Sequence, residues 1–116
     1  MVELRIFILV VKIVVIAELN ITPLGEGTSV GRLLAPVMEE LKRLGVKYQV
    51  TPMCTVFEAE NLEKVFEVVK STHEVVFKAG AKRVITTVKI DDRRDVKVES
   101  MLEKVESLKK ILEEKK

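Results

Sequence analysis

The 116-residue sequence has few of the residues on which small stabilising and catalytic sites depend: it contains one cysteine, one histidine and no tryptophan. The single thiol, Cys54, has no partner for a disulfide within the chain, and one thiol with one histidine falls short of a closed zinc site. We therefore expect a reducing, cytoplasmic location and no metal. The sequence also carries no catalytic motif, so we expect a protein that is not an enzyme and uses no cofactor.

An excess of charge of one sign is also lacking, because 20 Lys and Arg residues face 18 Asp and Glu residues, a net charge of +2. The five aromatic residues are scattered along the chain. Nucleic-acid-binding proteins concentrate basic residues on one face, so we expect no nucleic-acid partner. Lys and Glu make up most of the 33% charged residues, a composition typical of thermophile proteins.

The sequence also lacks a hydrophobic run long enough to cross a membrane. The longest extends from Ile6 to Ala17 and is interrupted by Lys12, whereas a spanning helix needs roughly 20 apolar residues. Glu3 precedes the run and no small-residue cleavage site follows it, which is atypical of a signal peptide. We therefore expect a strand here, with neither export nor membrane insertion.

Hydrophobic residues amount to 47% of the chain, which is enough for one core at this length. Their periodicity predicts the order βαββαβ followed by a further helix. The predicted elements are a strand from Ile13 to Thr22, a helix that Thr28 or Ser29 caps and Gly45 ends, strands at about 47–51 and 53–60, a helix that Asn61 caps and Gly80 ends, a strand at 82–90, and a helix at 98–115. In the second helix, we expect Leu62, Val65, Phe66, Val69, His73, Val76 and Phe77 to share the buried face.

This order predicts an α+β fold, a ferredoxin-like βαββαβ sandwich with an added C-terminal helix. Both crossover helices of that fold lie on one face of the sheet and leave the other face open. The strands Ile13–Ala17 and Val84–Val88 are apolar in both directions, so we expect a second subunit to cover the open face. A homodimer or homotetramer follows from this expectation.

Three stretches of the sequence resemble one family: ITPLGEGTSV (residues 21–30), YQVTPMCTVFEAE (residues 48–60) and HEVVFKAGAKRVITTVKIDDRRD (residues 73–95). Together they resemble the thiamine-binding protein family, which is related to the YkoF-like domains, over about Ile13 to Leu112. The resemblance implies a ferredoxin-like fold, assembly as dimers of dimers, and binding of thiamine or its hydroxymethylpyrimidine part without known catalysis.

The sequence departs from this family pattern in two places. Cys54 stands where the family commonly has glycine, so a bulkier thiol either narrows the pocket or shifts the turn. Residues 1–11 extend beyond the usual start, and they add a strand, swap onto a neighbour or reflect an over-long reading frame. We expect residues 1–116 to form a single ferredoxin-like domain, with residues 1–11 as a dispensable N-terminal extension.

Small polar side chains gather near the predicted strand ends and the start of the first helix: Asn20, Thr22, Thr28, Ser29, Thr51 and Thr55. Hydroxyl and amide groups at these positions match the donors and acceptors of an aminopyrimidine ring. Under the alternative interpretation they cap the helix and stabilise turns, which is the default use of Thr28 and Ser29.

The stretch TTVKIDDRRD (residues 86–95) allows two interpretations as well. Either Lys89 or Arg93 contacts an anionic or hydroxymethyl group of a ligand, or the interleaved charges form ion pairs at a turn or subunit contact. We expect His73 to be a core histidine with a satisfied hydrogen bond, and Cys54 to be a small buried residue.

Two functions remain open. The first is a non-enzymatic binding protein for thiamine or hydroxymethylpyrimidine, in which an oligomer interface completes the pocket. The second is a protein-interaction or regulatory module that uses the same open sheet face for oligomerisation without a ligand.

Overall fold

The computed structural model describes residues 13–27, 29–97 and 100–115. In chain order these residues form β1 (Val15–Pro23), α1 (Gly31–Leu44), β2 (Lys47–Val50), β3 (Thr55–Ala59), α2 (Leu62–Lys78), β4 (Val84–Asp91) and α3 (Leu102–Glu114). The predicted order of elements is confirmed. The predicted extension at residues 1–11 and the predicted first residue of the last helix, Val98, lie outside the described residues.

The four strands form one antiparallel sheet in the order β2–β3–β1–β4. This is the strand order of a ferredoxin-like α+β fold, to which α3 is an addition. In β1, Val15, Ala17, Leu19 and Ile21 are buried and alternate with more exposed residues. We call the side on which these four residues lie the helix-covered face, because their core cluster includes residues of α1 and α2.

The first crossover helix, α1, buries Leu33, Val37 and Leu41 at helical spacing and continues through Pro36. Gly45 ends it in the left-handed conformation, at φ 71°, where glycine avoids the strain that a Cβ would introduce. At its start, Val30 occupies the cap position without a side-chain cap bond. The prediction that Ser29 caps this helix is therefore wrong, and Thr28 lies outside the described residues.

The second crossover helix, α2, begins as predicted, with the Asn61 side chain accepting a hydrogen bond from the Lys64 backbone N–H at 2.8 Å. Its buried residues are Val65, Val68, Thr72 and Val76. The predicted apolar face is thus rotated, and Phe66 is 58% exposed. Thr72 tolerates burial because its hydroxyl donates to the Val68 carbonyl at 2.7 Å, so no polar group is left unpaired.

The other side of the sheet, which we call the open face, carries Ile16, Glu18, Asn20 and Thr22 of β1. Residues opposite them in register share this face. Most of the open face is polar, with Gln49, Glu58, Thr87, Lys89 and Asp91 beside the apolar Val56 and Ile85. The prediction that Ile13–Ala17 is apolar in both directions holds, and Ile16 lies on the open face. For Val84–Val88 it is wrong, because Thr86 lies on the helix-covered face and Thr87 on the open face.

The added helix α3 begins over this open face. The carboxylate of Glu58, which is 5% exposed, accepts hydrogen bonds from the Met101 backbone N–H at 2.9 Å and the Ser100 hydroxyl at 3.3 Å. Beyond this anchor, no described residue of α3 is buried. Its apolar side chains remain 46–58% exposed: Leu102, Val105, Leu108, Ile111 and Leu112.

Candidate functional site

A cavity of about 340 Å³ lies between α1 and the ends of β1, β2 and β3. Its apolar wall consists of Leu19, Ile21, Leu34, Ala35, Val37, Met38, Val50, Pro52 and Met53. Its polar residues are Asn20, Thr51, Cys54 and Thr55. Among the residues that the structure describes, none with a charged side chain lines this cavity. An apolar wall with a few polar groups is the usual composition of a small-molecule site.

One wall of the cavity is the turn from Thr51 to Cys54, which connects β2 to β3. The Thr51 hydroxyl donates to the Cys54 carbonyl at 2.9 Å and accepts from the Cys54 backbone N–H at 3.1 Å. The Thr51 backbone N–H donates to the same carbonyl at 2.8 Å. Thr51 therefore holds the turn, which is the structural role considered for it in the sequence.

Thr55, the first residue of β3, contributes the most buried polar side chain of the cavity wall. It is 8% exposed and lies opposite Leu19 on the helix-covered face. Its hydroxyl has no hydrogen-bond partner within residues 13–27, 29–97 and 100–115. No described side-chain oxygen is both fully buried and unpaired, so this hydroxyl oxygen retains some exposure. Thr55 thus offers the cavity a donor and an acceptor that the described residues leave unused.

Asn20 connects the cavity to the open face. Its side-chain amide donates to the Met53 carbonyl at 2.9 Å, and its amide oxygen accepts from the Thr22 hydroxyl at 3.2 Å. These bonds join β1 to the β2–β3 turn and fix the edge of the cavity. Thr22 acts through Asn20 and does not line the cavity itself.

Cys54 is half-buried and lines the same cavity, so it differs from the buried apolar residue that we expected. Its Sγ lies 3.5 Å from the Thr51 hydroxyl oxygen. The thiol therefore stands at the polar end of the cavity, next in sequence to Thr55.

The charged stretch after β4 forms local ion pairs. Arg93 Nε donates to Asp95 at 2.6 Å, and the guanidinium of Arg94 donates to Asp92 at 2.7 Å. These hydrogen bonds lower the pKa of both carboxyl groups from its ordinary value and raise the pKa of both guanidinium groups. Arg93 thus has the structural role that the sequence allowed, and its side chain does not reach the cavity wall.

Two other predicted positions lie apart from the cavity. Lys89 is exposed on the open face, opposite Glu18, and Ser29 is exposed before α1. His73 is partly buried on the helix-covered side, where its Nδ1 lies 2.6 Å from the Thr86 hydroxyl and its ring makes an edge contact with Phe77. The histidine is therefore satisfied by a structural hydrogen bond, as predicted.

The structure brings together Asn20, Thr51 and Thr55 of the predicted ligand-binding residues. It adds the α1 residues Leu34 and Met38. Helical periodicity alone does not distinguish a core position from a cavity wall. Which apolar residues face empty space depends on the position of the β2–β3 turn.

In the described part of the chain, no group of three or more His, Cys, Asp or Glu side chains is arranged to hold a metal ion. Among the helices that the structure describes, none combines the length and apolar character needed to cross a membrane.

The fold and the cavity define an α+β protein of ferredoxin-like fold with an uncharged cleft between its first helix and the β2–β3 turn. Residues 17–109 match the family model described as thiamine-binding protein. The chain belongs to this thiamine-binding protein family.

Known relatives agree with this assignment. A UPF0045 protein of Methanothermobacter thermautotrophicus is 48% identical over 96 residues, which cover 77% of this chain and 97% of the relative. A UPF0045 protein of Staphylococcus xylosus is 40% identical over 102 residues, covering 84% and 94% of the two chains. The crystal structure of hypothetical protein MJ1052 from Methanocaldococcus jannaschii has a TM-score of 0.75 and 31% identity, over 83% of this chain and 96% of that one.

Proposed function

We propose that the protein is a non-enzymatic binding protein for thiamine or its hydroxymethylpyrimidine part, and that the cavity beside Thr55 receives the pyrimidine ring. The observation that carries this proposal is the hydroxyl of Thr55, which has no partner among the described residues and lies in a largely apolar cleft. Membership of the thiamine-binding protein family supports the choice of ligand.

The composition of the cleft favours the pyrimidine over the charged parts of thiamine. A planar ring gains free energy by leaving water for the apolar wall that Leu34 and Met38 provide. Its nitrogen atoms or exocyclic amine then pair with the hydroxyl of Thr55. A thiazolium ring finds no charged partner among the described residues of the cleft wall, so it extends from the cleft toward solvent.

The experiment that tests this proposal is calorimetric titration of the Thr55→Val variant with hydroxymethylpyrimidine, thiamine and its phosphates. Valine keeps the shape of threonine and removes the hydroxyl, which leaves a ligand polar group unpaired at a cost of about 1–3 kcal/mol. The affinity should therefore fall roughly ten- to a hundredfold. The matched control is Thr87→Val, which removes an exposed hydroxyl from β4 on the open face and should leave the affinity unchanged.

A second control tests a residue of α2, which does not line the cavity. His73→Gln changes a hydrogen-bonded side chain outside the cavity and should retain full affinity. Full affinity in Thr55→Val together with a loss in His73→Gln would contradict the proposed position of the ligand.

We also propose that the chain assembles as a homodimer or homotetramer and that a neighbouring subunit completes the ligand site. The exposed apolar side chains of α3 support assembly, because surface stripes of this kind commonly mark protein contacts. The polar character of the open face makes α3 the better candidate for the contact. Sedimentation of a stable monomer at micromolar concentration would contradict assembly.

The alternative function, an interaction or regulatory module without a ligand, is favoured by the same helix. It predicts an oligomer that takes up none of the three ligands. Calorimetry combined with sedimentation therefore separates the two functions.

A further inference from the structure

We propose that Cys54 is a modification site, at which a low-molecular-weight disulfide forms a mixed disulfide with the thiol and thereby closes the cavity to its ligand. This inference rests on the proposed function, because it makes ligand binding dependent on the state of this thiol. The backbone of Cys54 forms hydrogen bonds of the β2–β3 turn, and its thiol is left for a separate role.

The position of the thiol carries the first step. Cys54 is half-buried, lines the cavity, and has no second cysteine in the chain with which to pair. The residues before it on the same turn and on β2 lie at the surface, with Met53 80% exposed and Val50 62% exposed. A small reagent thus reaches the thiol through the mouth of the cavity.

A second observation marks the same cavity as a place for a ligand. Thr55 is 8% exposed, so it is more than nine-tenths buried, and its hydroxyl has no partner within the described part of the chain. Consecutive residues therefore place a free thiol, and a hydroxyl that the described residues leave unpaired, in the wall of one cleft. A group attached to the sulfur competes with a ligand of that hydroxyl for the same space.

The chemistry is thiol–disulfide exchange. The thiolate of Cys54 attacks one sulfur of the small disulfide, so that a Cys54–S–S–R bond forms as the original S–S bond breaks. The second half of the reagent leaves as a thiolate and takes up a proton. The protein sulfur is oxidised, the departing sulfur is reduced, and no further reactant is needed.

The modification should block the site without unfolding the turn. The hydrogen bonds of the Thr51–Cys54 turn use the backbone of Cys54 and the hydroxyl of Thr51. Among the contacts of the described residues, only the Sγ contact of 3.5 Å to Thr51 involves the thiol itself. The added group therefore displaces one weak contact and takes its volume from the cavity.

The experiment treats the full chain with hydroxyethyl disulfide and determines the adduct by intact-mass spectrometry. Titration with hydroxymethylpyrimidine then follows, before and after reduction with dithiothreitol. We expect one adduct per chain, an affinity lowered by roughly tenfold or more, and recovery on reduction. Ligand present at saturation should slow formation of the adduct. Cys54→Ser should bind the ligand and give the same affinity with and without the reagent.

The outcomes separate this inference from the proposed function. If the untreated chain and Cys54→Ser bind none of the ligands, the proposed function is wrong and this inference with it. If the untreated chain binds but no adduct forms, or the adduct leaves the affinity unchanged, this inference alone is overturned. Far-ultraviolet circular dichroism of the adduct checks the fold, and a lost spectrum would also overturn the blocking mechanism.

Discussion

Replacing Glu58 should release the start of α3 from the sheet while leaving the core intact. The Glu58 carboxylate accepts hydrogen bonds from the Met101 N–H and the Ser100 hydroxyl, so it caps the helix from another part of the chain. Hydrogen bonds to a charged group contribute about 1.5–3 kcal/mol, and loss of a helix cap costs about 0.5–2 kcal/mol. The hydrogen-bond energy and the helix-cap energy describe the same contacts and are not added. We therefore expect Glu58→Ala to destabilise the docked state of α3 by about 1–2 kcal/mol.

The loss of stability should be confined to α3. No described residue of α3 is buried, and a helix of 13 residues is marginally stable in water without tertiary support. The core residues of β3, in contrast, do not depend on the carboxylate. The opening equilibrium of α3 should therefore rise roughly 5- to 30-fold while global unfolding changes little.

Amide hydrogen exchange by nuclear magnetic resonance measures both quantities. Backbone amides of Leu102–Glu114 should exchange faster in Glu58→Ala, and less so in Glu58→Gln, which keeps an acceptor oxygen without its charge. Glu60→Ala removes an exposed carboxylate just beyond β3 and is the matched control. Unchanged exchange of α3 in Glu58→Ala, or an equal change in Glu60→Ala, would refute the capping role.

Two further predictions concern the core and the charged turn. Phe57→Ala should lower the free energy of unfolding by about 3–5 kcal/mol, because Phe57 is 0% exposed. Phe66→Ala should lower it far less, because Phe66 is 58% exposed. Urea denaturation of both variants measures the difference. The lowered pKa values of Asp92 and Asp95 predict that their ion pairs are fully formed above the ordinary carboxyl pKa of 3.8 and are lost as the pH falls through the lower folded values. Carboxyl carbon shifts followed from pH 7 to pH 2 check this, and midpoints at or above 3.8 would contradict it.

The sequence predicted the order of elements because each carries a strong local signal. Asn61 caps α2 and Gly45 ends α1, and these interactions involve residues within a few positions of each other. Local signals do not define which side of a helix is buried when both sides carry apolar residues. In α2, Val68 and Thr72 are buried and Phe66 is exposed. The packing of the helix against the sheet determines which of these residues is buried.

Part of the candidate site was predicted from residues near the ends of strands. Asn20, Thr51 and Thr55 adjoin strand ends, and strand pairing brings those ends together. Arg93 is different, because its partner Asp95 lies two residues away and satisfies the guanidinium within the turn. Charge in a sequence therefore indicates a ligand only when no opposite charge is close enough to neutralise it.

Ligand binding should depend on Thr55 and not on Thr51, although both were predicted to be ligand-binding residues. Both hydroxyls lie at the end of the cavity where β3 begins, and the sequence gives them equal weight. Thr51 uses its hydroxyl to donate and to accept within the turn, so a ligand that bonded to it would have to break those interactions. Thr55 has no such competitor in the part of the chain that the structure describes. The proposed ligand should therefore gain the full net free energy of a hydrogen bond at Thr55, whereas at Thr51 it would first have to displace the hydrogen bonds of the turn.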